Sequence, residues 1–241
     1  MADTRADAVE DACRLWHASA DAVLSTQSVA EPGYPFGSVV PFCTDSAGRG
    51  LLLLSHLAQH SQNLAADARC ALTLADRVAG DIQQGRRLTC IARCVPCADA
   101  DALERYCRHF PRGRVYAGEL GFRLHRIDSV RRFHYNGGFA TARWIGADRI
   151  PGSLPPVPAD EPDLLRRLLG GYAGWLSEQA ATALGGPPPD PPEPAGIDRW
   201  GLTLRAADQL LRLESARPLD GWPALEAAIA TDSLQAAAPR R

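Results

Sequence analysis

The chain of 241 residues contains no lysine: all 26 of its basic residues are arginine, set against 28 acidic ones. That absence removes Schiff-base lysine, the phosphate-binding lysines of P-loop enzymes and kinases, and a lysine general base. Every permanent cation is a planar, always-charged guanidinium, suited to holding anions and poor at moving protons. Long apolar runs are missing too. No stretch approaches the roughly eighteen residues that a membrane helix needs, so no span is expected. The opening MADTRADAVEDACRLWHASA is acidic and mixes apolar with charged residues, unlike a secretory signal. A net charge of −2 offers little generic attraction for nucleic acid. The seven cysteines form an odd set, and without a secretory signal they are expected to be reduced, in a cytoplasmic protein.

What is present is a chain with 46% hydrophobic residues, enough for one large domain or two smaller ones. An amphipathic helix is expected over 4–20, then strands over 22–28, 38–43 and 51–55. The last two flank the glycine-containing turn at 45–50 as a hairpin, and EPGYPFG is turn chemistry. A helix over 57–66 precedes strands over 70–75 and 87–95. A helix over 98–110 precedes strands over 122–127, 131–136 and 141–145. Strands joined mostly by short turns, with only small helices between them, predict an antiparallel β-barrel within a mainly β, α+β fold. Domain 1–150 is followed by a proline-rich linker at 151–162. A smaller α/β domain over 163–241 carries helices near 163–183 and 222–231 and a hairpin near 198–213.

Several groups of residues could carry chemistry. Cys90, Cys94, Cys97 and Cys107 superficially resemble a metal or redox cluster. Their placement on a strand, beyond a proline and on the next helix fits packing better than two compact ligand pairs. His56 and His60 flank the start of a helix directly after an apolar strand, where backbone N–H groups and the helix dipole favour an anion. Capping or solvation of that helix by Ser55 or Gln59 is the competing explanation. Over 101–150, ten arginines face five acids, a local surplus suited to phosphate or a carboxylated cofactor. A solvated charged face would look the same. In the run Phe133 to Trp144, Gly137 and Gly138 permit positive φ or close approach, and Phe139, Arg143 and Trp144 offer flat faces and a carboxylate fork. A barrel corner lined by core aromatics is the alternative.

The stretch YPFGSVVPFCTDSAGRGLLLLSHLAQHSQNLAADARCALTLAD (34–76) resembles the FMN-binding split β-barrel family that includes pyridoxine phosphate oxidase. NGGFATARWI (136–145) is similar to a glycine-rich motif of its haem-utilisation branch, with Ala140 in place of the last glycine. AGIDRWGLTLR (195–205) resembles part of the small domain appended in that branch. The resemblance implies a six-stranded split barrel acting as a homodimer, with cofactor clefts at the subunit interface. It points to Ser38, Val40, Ser55, His56, Gln59, His60, Asn63, Arg123, Arg131, His134, Gly137, Gly138, Phe139, Arg143 and Trp144 as cofactor-contacting positions.

Two departures shape the expectation. Oxidase relatives clamp the FMN phosphate with an arginine and a lysine on an early strand and an Arg-Lys pair at the helix start. Here those positions fall in the neutral Gly37–Phe42 segment and at Gln59-His60. The appended domain of relatives carries a histidine- and aspartate-rich signature, replaced here by Arg167 to Tyr172, and no histidine follows His134. The resemblance therefore implies haem binding, with arginines of 123–143 on the propionates and His60, in preference to His56 or His134, at the iron. Oxidative haem degradation would need an electron-donating reductase. An FMN-dependent oxidoreductase or flavin reductase is the first alternative, and a non-catalytic cofactor-binding protein the second.

Overall fold

The computed structural model describes residues 4–76, 81–138, 142–150, 161–206 and 208–236. The chain divides into two compact units, Met1–Leu154 and Pro155–Arg241. Most of the expected linker lies outside the described residues.

In the first unit, helix α1 (Thr4–Ala18) is followed by strands β1 (Asp21–Gln27), β2 (Pro35–Pro41), β3 (Cys43–Thr44) and β4 (Gly50–Ser55). Helix α2 (Gln59–Ala66), strands β5 (Arg69–Ala75) and β6 (Arg87–Pro96), and helices α3 (Ala100–His109) and α4 (Gly113–Glu119) come next. Strands β7 (Phe122–Asn136) and β8 (Ala142–Gly146) complete it. All pairings are antiparallel, in the order β2-β1-β5-β6-β7-β4-β3 with β8 on the free side of β7, and the sheet curls into a half-barrel. The sheet has eight strands where six were expected. One reason is that the segment after Pro41 is divided: β2 pairs with β1, and the two residues of β3 pair with β4.

The β3–β4 hairpin forms as its sequence suggests. Asp45 closes the turn by accepting from the backbone N–H groups of Ala47 and Arg49 at 2.9 and 2.8 Å. The segments at 122–127 and 131–136, by contrast, are a single strand. Register slips from Ile91↔Arg132 to Arg93↔Asp128 while Ser129 takes a φ of +47°, so β7 bends at a bulge instead of ending. The concave face buries Leu24, Val40, Leu72, Leu74, Leu88, Cys90, Phe133 and Tyr135. Helix α1 fills it: Trp16 meets Phe42 and Phe133 edge-on at 5.0 and 5.6 Å, and its indole N–H donates to the Gly48 carbonyl. On the opposite face, α3 and α4 cover only β4 and the first half of β7, through Leu51, Leu53, Leu124, Ala102 and Tyr106.

The second unit has helices α5 (Glu161–Gly171) and α6 (Ala173–Leu184), strands β9 (Glu193–Asp198), β10 (Gly201–Ala206) and β11 (Gln209–Ser215), helix α7 (Trp222–Ala230) and strand β12 (Leu234–Ala236). Its four-stranded antiparallel sheet runs β12-β11-β10-β9 over a core of Leu164, Leu168, Leu176, Leu202, Leu204 and Leu213. The one long helix expected over 163–183 is two, separated near the Gly170-Gly171 pair. Arg212 donates to both carboxylate oxygens of buried Asp198 at 2.6 and 2.7 Å. Among the described residues, no helix is long and apolar enough to cross a membrane.

Candidate functional site

The expected site residues separate into two groups. The first gathers around α2, which starts where β4 ends. Ala58 occupies its N-cap with no side-chain acceptor. The Ser55 hydroxyl accepts instead from the Leu57 N–H at 3.3 Å, and the Gln59 side chain donates to Asn63 at 2.9 Å. Asn63 is fully buried and also accepts from the Val29 N–H at 3.0 Å and donates to Thr26 at 2.9 Å, so its amide is spent on anchoring the helix. Val40 belongs to the buried core. His56 is exposed, and its Nδ1 lies 2.9 Å from the Gly121 carbonyl. A Cβ on Gly121, whose φ is +67°, would stand 2.7 Å from that ring, which explains the glycine.

His60, in the first turn of α2, is half-buried, its Nδ1 3.1 Å from the Ser38 hydroxyl of β2. Its Nε2 is buried and has no hydrogen-bond partner among the described residues. β7 contributes a second imidazole, His125, which is buried and whose Nδ1 lies 2.9 Å from the Arg123 carbonyl. Burial, and secondarily the neighbouring His125, hold His60 below the ordinary histidine pKa. Burial also lowers His125, with the Arg123 charge adding to the effect. The sequence reading missed His125. Its signal was the alternation of apolar residues along 122–127, which turns 123, 125 and 127 toward one face.

The second group lies on the convex face of the sheet. Cross-strand pairing places Val39, Val23, Thr73, Thr89, His134 and Trp144 in one row over six strands. The next row holds Gly37, Ser25, Ala71, Ile91, Arg132 and Gly146. This face is open within the unit: Val39 is 74% exposed, Trp144 54%, Val23 41% and Ile91 39%. His134 stacks obliquely on Trp144 with centroids 4.8 Å apart, and the Arg132 guanidinium lies 5.5 Å from the same indole centroid. Neither ring nitrogen of His134 makes a hydrogen bond among the described residues. Arg131 is exposed beside the bulge, while Arg143 pairs with Tyr135 across the β7–β8 ladder and so alternates away from Trp144. Gly138 does take a positive φ of +108°, and a Cβ there would press on the Gln84 carbonyl at 3.2 Å. Phe139 lies outside the described residues.

The cysteines pack. Cys70 faces Ala92 across the ladder, diagonal to Cys90 and Cys94, and all three are buried. Burial pushes the Cys70 thiol up to about 12 and raises Cys90 and Cys94 as well, which suppresses thiolate chemistry. Among the described residues, no three His, Cys, Asp or Glu side chains gather as a metal centre.

No family model matches the chain. Over 71 residues it is 38% identical to a chloroplastic noncanonical haem oxygenase from Arabidopsis thaliana, a match covering 30% of this chain and 22% of that protein. The matched segment is thus less than a quarter of the relative's length. A solved protein of unknown function from Agrobacterium tumefaciens is 26% identical with a TM-score of 0.73, covering 93% of this chain and 94% of that one. A haem binding protein from Mycobacterium smegmatis shares the fold at 22% identity and a TM-score of 0.57, over 93% of this chain and 95% of its own. In sequence over its matched segment, and in fold over most of its length, the chain resembles the split-barrel proteins of haem utilisation.

Proposed function

We propose that this protein binds haem on the convex face of its split barrel, in a cleft completed by a second copy of the chain. The observation that carries the reading is the open row ending in His134 and Trp144, where an unengaged imidazole, an indole and a guanidinium share one flat, largely apolar surface. A porphyrin needs such a surface, a donor for iron and cations for its propionates. Arg131 and Arg132 make no ion pair among the described residues, which suits them to the carboxylates. His134 replaces His60 as the favoured iron ligand, because the Nε2 of His60 is buried where a macrocycle does not reach. The exposed Val39, Val23 and Ile91 beside it are the kind of surface that self-association buries. The second unit is then the appended domain of the haem-utilisation branch. Bound haem would be a substrate for oxidative degradation in the cytoplasm, with electrons from a separate reductase.

Adding haemin to the purified chain tests this. Wild type is expected to shift the Soret band and to elute as a dimer. His134→Ala should weaken binding about tenfold or more and change the ligand-sensitive bands. No Soret shift up to high micromolar haemin, or FMN retained through gel filtration in its place, would refute the reading.

A further inference from the structure

Two groups on the exposed face, the His134 imidazole and the Arg132 guanidinium, have no hydrogen bond or ion pair to orient them among the described residues. Period-two alternation puts both on one face of β7, and the β7–β8 register sets Trp144 directly opposite His134. Arg132 stands opposite Gly146, which has no side chain to offer, and it turns to the indole on the diagonal. On the other flank, β6 places Thr89 beside His134 and Ile91 beside Arg132. The Thr89 hydroxyl is engaged with Thr73 at 3.1 Å, and Ile91 carries no polar side-chain atom. Given the haem reading above, on which this step rests, we propose that Trp144 is the positioning residue of the haem face. Its indole fixes the ring plane of His134 and the direction of Arg132 before the macrocycle arrives.

Both contacts are present in the free chain. The imidazole tilts at 60° to the indole with centroids 4.8 Å apart, and the guanidinium carbon stands 5.5 Å from the indole centroid. Metal-ligating histidines are ordinarily oriented through their second N–H, by a carboxylate, a carbonyl or water. His134 has no such protein partner among the described residues, so the ring contact takes over that task. A ring contact also leaves the in-plane nitrogens of the imidazole open, as an iron ligand requires. Tryptophan suits the role, because only two side-chain torsions set its orientation and the ladder fixes its backbone. Ordering imidazole and guanidinium in advance reduces what binding loses in side-chain freedom, so removing the indole weakens affinity. The expected loss is about 3–10-fold, a part of what the two contacts are worth together.

The test begins with the haem-free full-length chain. In its 1H–13C spectra the ring protons of His134 should be displaced by the indole ring current, return to ordinary positions in Trp144→Leu, and be partly displaced again in Trp144→Phe. Haemin titration should then show binding weakened about 3–10-fold in Trp144→Leu and within about twofold of wild type in Trp144→Phe. Arg132→Gln should weaken binding less in the Trp144→Leu background than alone, because one indole serves both groups. The iron–imidazole stretch of the ferrous complex should broaden in Trp144→Leu, which lost apolar area by itself would not cause. Trp144 is 54% exposed, and Trp144→Thr, which suits a strand, stands in should Trp144→Leu fail to fold. His134 shifts unchanged in these variants, or haemin affinity within twofold of wild type in Trp144→Leu, overturns the proposal alone. Wild type that binds no haemin is a different result: it overturns the haem reading and takes the role of Trp144 with it.

Discussion

Replacing Asn63 by alanine should destabilise the first unit by about 3 kcal/mol and loosen α2. The figure follows from what the amide holds. Its oxygen accepts from the Val29 N–H and the Gln59 side chain, and its nitrogen donates to Thr26. Alanine leaves the Val29 N–H and the buried Thr26 hydroxyl without this partner, at roughly 1–3 kcal/mol for each stranded buried group. Gln59 is half-buried and can turn to water, so it adds little. Thr26 keeps only a long contact to the Phe36 carbonyl at 3.4 Å, which offsets little of the loss. Tryptophan fluorescence would blend the two units, because Trp16 and Trp144 lie in one and Trp175, Trp200 and Trp222 in the other. Native-state hydrogen exchange at the β1 and β5 amides reports on the first unit alone. A loss below about 1 kcal/mol there would show that α2 is held by packing and not by this amide.

Other consequences can be measured directly. His60 and His125 both titrate below the usual 6.5 in the folded chain, so the unfolded chain binds more protons as pH falls through that value. Stability should be full above pH 6.5 and decline below it, and His125→Gln should flatten the slope; parallel denaturation midpoints for the two proteins between pH 8 and 5 would contradict this. Native alkylation at neutral pH should label half-buried Cys97 before any other thiol, with all seven reacting after unfolding. Early labelling of Cys70, Cys90 or Cys94, followed by peptide mapping, would count against their burial. Asp198→Asn should cost the second unit about 3–5 kcal/mol, because it strands the buried Arg212 charge, and native-state hydrogen exchange at the β10 and β11 amides would show it.

Much of the strand order was legible, because apolar alternation, EPGYPFG and the Asp45 turn are local signals that tertiary structure kept. The misses have local causes too. α4 hides behind Pro111 and two glycines, and β9 behind prolines, so both are stabilised by packing where propensity is poor. The Asp128-Ser129 pair looks like a turn, and only the partner strand decides that it is a bulge. At the site, Gln59, Ser55 and Asn63 could equally hold a ligand or the helix, and hydrogen-bond partners choose the helix.

The division into two groups follows from arithmetic that the sequence already contains. His125 and His134 stand an odd number of positions apart on one continuous strand, so period-two alternation sends them to opposite faces. The two extra residues of the bulge keep that parity, because the register slips by an even step. His125 therefore turns to the buried face with Ile127 and Phe133, while His134 turns out toward Trp144 and Arg132. Treating His56, His60 and His134 as rivals for one iron overlooked this, since the strand that carries His134 also separates it from His60. The all-arginine cation set fits the outer group. The α2 start itself carries Gln59-His60 and no arginine, where an FMN phosphate would need a cation, whereas Arg132 lies against the exposed indole face.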